Sequence, residues 1–336
     1  MNYHKVVGET QAILLNENNK SEWMNRYLGY ADTISANLES IKNNRRRLRE
    51  WMPFKYYLNV TNAKKAKNTV RFEVRYLGQT VAELTSNTDG ITLSTQPKDY
   101  EKNNQRDFDC NIKLRNAPWA GKEARAFRSH FKNRSPVRNK TGDNKGNEEH
   151  RIESLLLSEF SKGKEKTLPN IKPIMIESLR FPMPTPIGAS KRETIKYSGQ
   201  QGGGIDIFAR IGTGGRATWL CVIELKDENT PAEPATDAIQ QAIKYAVFIR
   251  ELLRSQAGAK WWKLFGFGGS IPDQLVIHAV CAMPDDEKAD TSFAGQKLQI
   301  GEDEIELHYI YFKESNNKIE CIRTSLSYGK QVKESI

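Results

Sequence analysis

The chain has 336 residues, 38% hydrophobic and 27% charged, a balance that suits a globular protein with room for two domains. Its net charge of +10 is unevenly spread: residues 1–150 carry 27 Lys+Arg against 17 Asp+Glu, while residues 151–336 carry 24 of each. No stretch approaches the roughly 20 apolar residues of a membrane span, the N-terminus has no secretion-signal pattern, and the scattered Cys110, Cys221, Cys281 and Cys321 fit reduced thiols in a cytoplasmic protein better than a zinc site.

The surplus cations sit in "NNRRRLRE" (43–50), "NAKKAKN" (62–68) and "RAFRSHFKNRSPVRNK" (125–140). Such clusters favour a polyanionic partner, because neutralising phosphates releases counterions. The spacing predicts a helix from Ser21 to Trp51 that ends on a cationic turn, favourable for the helix dipole. "KYYLNVTN" (55–62), "TVRFEVRYLGQTVAELTS" (69–86) and "GITLSTQ" (90–96) read as antiparallel strands joined by Lys/Asn/Gly turns. The stretch 129–149 lacks apolar periodicity and reads as a linker or loop. The expected division is a basic α+β domain over 1–145, able to bind nucleic acid, and a second domain over 146–336.

The second half opens on "EEHRIESLLLSEFSKG", where Ile152, Leu155, Leu156 and Phe160 share a helical side. A β-rich passage (172–181) and a Pro-broken loop (182–190) follow. Two strands, "GGIDIFARIG" (203–212) and "ATWLCVIELKD" (217–227), flank the turn "TGGR". The next helix, 236–255, starts with Asp237 and Gln240 spaced like a capping box. "KWWKLFGFG" (260–268) reads as an aromatic loop, suited to stacking bases or contacting a partner, or equally to closing over a core. "DQLVIHAVCAMP" (273–284) is an uninterrupted apolar run, as in a strand covered on both faces, with His278 as a satisfied core histidine. The tail (297–315) adds a hairpin. Helix, three strands, helix and strand make an α/β core with both sheet faces covered.

The hairpin carries the chemistry. A turn near Gly214–Gly215 sets Asp206 opposite Glu224, and Lys226, two residues on, shares the face of Glu224. Neighbouring carboxylates repel unless a cation lies between them. A hard divalent ion with oxygen ligands is such a cation, and an adjacent lysine can offset charge developing on a phosphate. The plainer reading is a same-face ion pair of Glu224 and Lys226, which stabilises by about 0–1 kcal/mol when exposed.

Asp206 in "GGIDIF", Glu224-Leu225-Lys226 in "VIELKDEN" and the following "QAIKY" resemble the PD-(D/E)XK nuclease superfamily. The resemblance spans roughly residues 150–285, with Ile205 where the family often has proline. It implies an α/β, restriction-endonuclease-like mixed-sheet core flanked by helices, beside the smaller N-terminal α+β domain. It implies that Asp206 and Glu224 bind Mg²⁺ (or Mn²⁺) with the Leu225 carbonyl, and that Lys226 orients the attacking water. Gln241 and Tyr245 match the Gln-x-x-x-Tyr element of the exonuclease-like branches. Glu153 would be the first-helix acid, with Glu159 as its rival. The implied activity is hydrolysis of DNA phosphodiesters, with restriction or phage defence as an analogy from the family. RNA is the alternative substrate, and a homodimer is expected if both strands of a duplex are cut together. The alternative function is a catalytically inactive nucleic-acid-binding or assembly protein with the same fold.

Overall fold

The computed structural model describes residues 2–45, 54–59, 70–76, 79–87, 90–95, 110–132, 145–161, 168, 170–177, 179–188, 195–215, 217–228, 234–286, 288–316 and 318–326. The basic stretch 62–68 lies outside these residues, as do 46–50 and the 133–144 part of the expected linker.

Helices α1 (Tyr3–Leu15) and α2 (Glu17–Arg45) lead into strands β1 (Phe54–Asn59), β2 (Val70–Tyr76), β3 (Gln79–Asn87), β4 (Gly90–Ser94) and β5 (Ala117–Pro118). Helices α3 (Lys122–Lys132) and α4 (Lys145–Phe160) follow. Five short strands come next: β6 (Ile171–Pro173), β7 (Met175–Ile176), β8 (Leu179–Arg180), β9 (Ile187–Gly188) and β10 (Lys196–Tyr197). The hairpin β11 (Ile207–Gly214) and β12 (Ala217–Leu225) precedes helices α5 (Ala235–Leu253) and α6 (Gly258–Leu264). Strands β13 (Val276–Pro284), β14 (Lys297–Ile300), β15 (Asp303–Ser315) and β16 (Lys318–Thr324) close the chain. No helix among the described residues is long and apolar enough to cross a membrane.

The chain divides into two compact units, and the expected cut at 145/146 is not where they part. One unit gathers Met1–Leu28, Leu155–Ile174 and Pro182–Ile336; the other gathers Gly29–Ser154 and Met175–Phe181. The N-terminal helices explain the difference. α1 buries Tyr3, Val6, Val7, Thr10 and Leu14, and its Gln11 donates to Glu251 of α5 at 2.9 Å. From the start of α2, Trp23 and Tyr27 pack edge-on against Phe248 of α5, with ring centroids 5.8 and 4.9 Å away. Buried aromatics of this size dominate local packing, so these residues join the α5 unit although they begin the chain.

That unit is built on a mixed sheet of order β14-β15-β13-β12-β11-β6, with β16 also on β15. β11/β12 is antiparallel, while β12, β13 and β15 run parallel. β13 is buried at every position from Ile277 to Met283, as its unbroken apolar run predicts. The stretch at 260–268 departs from the expected loop: Gly258–Leu264 is a short helix, α6. Trp261 is fully buried there and donates Nε1–H to the Tyr27 carbonyl at 3.1 Å. Of the roles expected for these aromatics, closing over a core is the one Trp261 fills. The capping box also fails to form. α5 begins at Ala235 with Pro234 as its N-cap residue, which has no side chain able to cap, so Asp237 falls inside the first turn and Gln240 bonds back to the Thr236 carbonyl at 3.0 Å.

The other unit holds an antiparallel meander extended by β8 and β7, in the order β5-β4-β3-β2-β1-β8-β7. Strict alternation in β2 buries Val70, Phe72, Val74 and Tyr76 on one face. α3 covers that face with Phe127 and Phe131, whose rings approach Phe54 and Tyr76. Not all of the basic stretch 125–140 faces outward: Arg128 is buried, with its guanidinium 4.3 Å above the Trp119 ring.

Candidate active site

The glycine turn sets the geometry. Gly214 and Gly215 have φ of +110° and +57°, a region that residues with a Cβ rarely enter, and a register shift between Gly212 and Gly214 completes the reversal. Beyond it the strands pair Ile211 with Trp219 through Ile207 with Ile223, which is the register read from the sequence. A slip of one residue would have sent Glu224 to the opposite face.

Asp206 and Glu224 therefore emerge side by side at the end of the hairpin, and each offers a carboxylate oxygen within 4.8 Å of the other. Asp206 is fixed there because its Oδ2 accepts the Leu225 backbone N–H at 2.9 Å. Glu224 is 2% exposed, and Lys226 Nζ donates to its Oε1 at 3.0 Å. The Lys226 backbone N–H is tied to the Ala282 carbonyl at 2.9 Å, which anchors the strand end on β13.

Gln241 and Tyr245 project from α5 into the same region, and both are buried. Burial first, then the Glu224 carboxylate, pushes the Tyr245 phenol well above its ordinary pKa, against a hydrogen bond from Gln241 that pulls the other way. Tyr245 is thus a protonated donor at neutral pH and not a base. Behind it lies Gly203, which the sequence reading passed over. A Cβ there would stand 2.3 Å from the Tyr245 hydroxyl oxygen, so the run "GGG" before Ile205 lets backbone approach the ring. Gly203→Ala is expected to destabilise the protein by about 1–3 kcal/mol through overpacking. Part of that loss should return in a Tyr245→Phe background, as urea titrations of the four proteins would show.

Glu153 has a different setting, inside the second unit. Its Oε1 accepts from the Tyr57 hydroxyl at 3.2 Å and its Oε2 lies 3.8 Å from Arg75. Arg75 stacks 4.0 Å over the Tyr57 ring. Burial, then the Glu153 charge, raises the Tyr57 pKa and keeps that hydroxyl a donor. Glu153→Gln should therefore cost about 1–3 kcal/mol of stability by disturbing a buried polar network, measured by denaturant unfolding whatever happens to activity. Glu159, its rival, is also buried.

His278 is 1% exposed and its Nδ1 lies 3.0 Å from His308 Nε2, so the core-histidine expectation holds as far as a partner goes. Burial, then the neighbouring His308, lowers its pKa to about 3. Chemically, the hairpin end combines two clustered carboxylates, an ammonium group and a phenol donor. Comparison with protein-family models, with curated proteins and with solved structures gives no match for this chain.

Proposed function

We propose that the chain is a divalent-cation-dependent nuclease of the PD-(D/E)XK kind, acting on DNA phosphodiesters. The observation that carries this reading is the pairing of Asp206 and Glu224 within 4.8 Å, with Lys226 Nζ 3.0 Å from Glu224. The succession α4, β6, β11, β12, α5, β13 around a mixed sheet supports a restriction-endonuclease-like core. The donor set suits a hard ion: two carboxylates and the Leu225 carbonyl offer only oxygen, as Mg²⁺ or Mn²⁺ prefers. When bound there, such an ion would supply Lewis acidity and neutralise charge at the scissile phosphate.

The protein's own groups then divide the work. Asp206 and Glu224 hold the cation. Lys226 directs one of its three N–H donors at Glu224, and its ammonium holds the attacking water and offsets charge gathering on the phosphate oxygens. Tyr245, kept protonated, donates to an oxygen of the substrate or positions Glu224, and Gln241 orients Tyr245. The charge excess of residues 1–150 supports nucleic acid as the partner, through cations other than the internally committed Arg75 and Arg128.

The test is incubation with linear, circular and single-stranded DNA, with Mg²⁺ or with EDTA. Cleavage that requires Mg²⁺ is the expected result, and cutting of the circle would mark an endonuclease. Binding with no cleavage of any substrate would turn the reading into a non-catalytic DNA-binding protein, and cleavage of RNA alone would change the substrate. Affinity should fall steeply with salt; a flat salt response would remove the nucleic-acid partner.

A further inference from the structure

The sheet of the first unit carries a second cluster of ligand-type side chains, on the face opposite Glu224. In the β12/β13 pairing Glu224 aligns with Cys281 and Cys221 with His278, so His278 points to the other side of the sheet from Glu224. The parallel partner β15 aligns Glu306 with His278, and His308, two residues further, shares that face. His278, Glu306 and His308 each offer a donor atom, all within 4.8 Å of one another. His278 Nδ1 lies 3.0 Å from His308 Nε2, which in turn lies 3.4 Å from Glu306 Oε1.

We propose that His278, Glu306 and His308 form a binding site for a late first-row divalent ion such as Zn²⁺, separate from the hairpin carboxylates. Three observations support the assignment. First, bond lengths of about 2.0–2.2 Å to nitrogen and oxygen put neighbouring ligands of a tetrahedral ion about 3.3–3.5 Å apart. The observed spacings of 3.0 and 3.4 Å are close to that edge. Second, the two imidazoles are buried, at 1% and 4% exposure, while Glu306 is half-buried, so an ion entering beside Glu306 would meet preplaced nitrogens and keep a position toward solvent.

Third, the ring nitrogen of His308 that faces away from the cluster, Nδ1, lies 3.1 Å from Ser325 Oγ. With that nitrogen protonated and bonded to Ser325, Nε2 is left as the donor atom, an arrangement usual for metal-bound histidine. Two imidazoles and one carboxylate favour Zn²⁺ and its neighbours over Mg²⁺, which prefers oxygen alone. The charged groups on the same face are Glu304 and Lys297; Lys297 Nζ is bonded to Glu304 Oε1 at 3.0 Å, so its charge is partly offset. An ion here would cross-link β13 to β15.

The experiment is equilibrium dialysis of the full chain against buffered Zn²⁺ in a large excess of Mg²⁺, which keeps the hairpin carboxylates occupied, with the visible spectrum of the Co²⁺ form as a reporter of coordination. Wild type should take up one Zn²⁺ per chain and, with Co²⁺, show the intense d–d bands of a four-coordinate site. Ser325→Ala should weaken Zn²⁺ binding about 10–100-fold, and Glu306→Gln and His308→Ala by more, while Glu224→Gln should leave Zn²⁺ uptake unchanged. Glu306→Gln, altering a half-buried group, gives the answer even if His308→Ala fails to fold. Absence of stoichiometric uptake, uptake that survives Glu306→Gln, or uptake lost only with Glu224→Gln would each overturn the proposal.

Discussion

Glu224→Ala is expected to lower Mg²⁺-dependent DNA cleavage by about 1000-fold or more, within or beyond the range seen when one preorganised electrostatic group is removed. The variant deletes one of the two carboxylates that share the end of the hairpin and leaves only Asp206, whose Oδ2 accepts the Leu225 N–H. Stability should change far less, because the Lys226 ammonium, 14% exposed, can turn toward water. Lys226→Ala is expected to lose about 100-fold in rate while the protein still binds the cation. The contrast discriminates between the two readings of this pair. A merely structural ion pair would leave turnover alone and show itself in stability, most in Lys226→Ala, which strands the 2%-exposed Glu224 carboxylate at a cost of about 3–5 kcal/mol. Rates measured beside thermal melts of each variant separate the outcomes.

Asp303→Ala should have the largest effect on stability, about 3–5 kcal/mol in denaturant unfolding. Asp303 is 2% exposed and stands at the start of β15. It accepts from Arg250 Nε at 2.8 Å, Arg254 Nε at 2.9 Å and the Leu275 backbone N–H at 2.8 Å. One carboxylate thus ties the end of α5 to the entries of β13 and β15, and its loss leaves two guanidinium groups and an N–H to be satisfied elsewhere. Burial alone would raise its pKa, but the bonds from Arg254, Leu275 and Arg250 outweigh burial and hold it below its ordinary value of 3.8. The folded-state pKa being the lower one, this contribution is fully present above about pH 4 and is lost as pH falls through the folded value. Wild type should therefore lose stability more steeply than Asp303→Asn as pH drops below 4.

The local chemistry of the hairpin was legible in the sequence because it depends on short-range rules. Alternation in "IDIFA" and the glycine turn give the register by counting, and the structure pairs Ile207 with Ile223 accordingly. Tertiary packing decided the features that counting missed. The Trp-rich stretch 260–268 carries loop-like glycines, yet burial of Trp261 holds residues 258–264 as a helix, an ordinary override of propensity. α1 could not be assigned to the α5 unit without knowing that its apolar side meets α5. His308 and Glu306 could be placed on one face of their strand by alternation, but nothing local indicates that β15 lies parallel to β13 with Glu306 beside His278. Gly203 carries meaning only once Tyr245 is known to stand behind it.

Mn²⁺ binding, followed by electron paramagnetic resonance, tests the central claim most directly, since it reads the ion at the carboxylates without needing substrate or turnover. The folded wild-type chain and its His308→Ala variant should both bind Mn²⁺, while Asp206→Asn and Glu224→Gln, still folded by circular dichroism, should each lose the bound signal. Retention of the bound ion by both acid variants would contradict the account, because the two carboxylates at the hairpin end would then have no share in holding it.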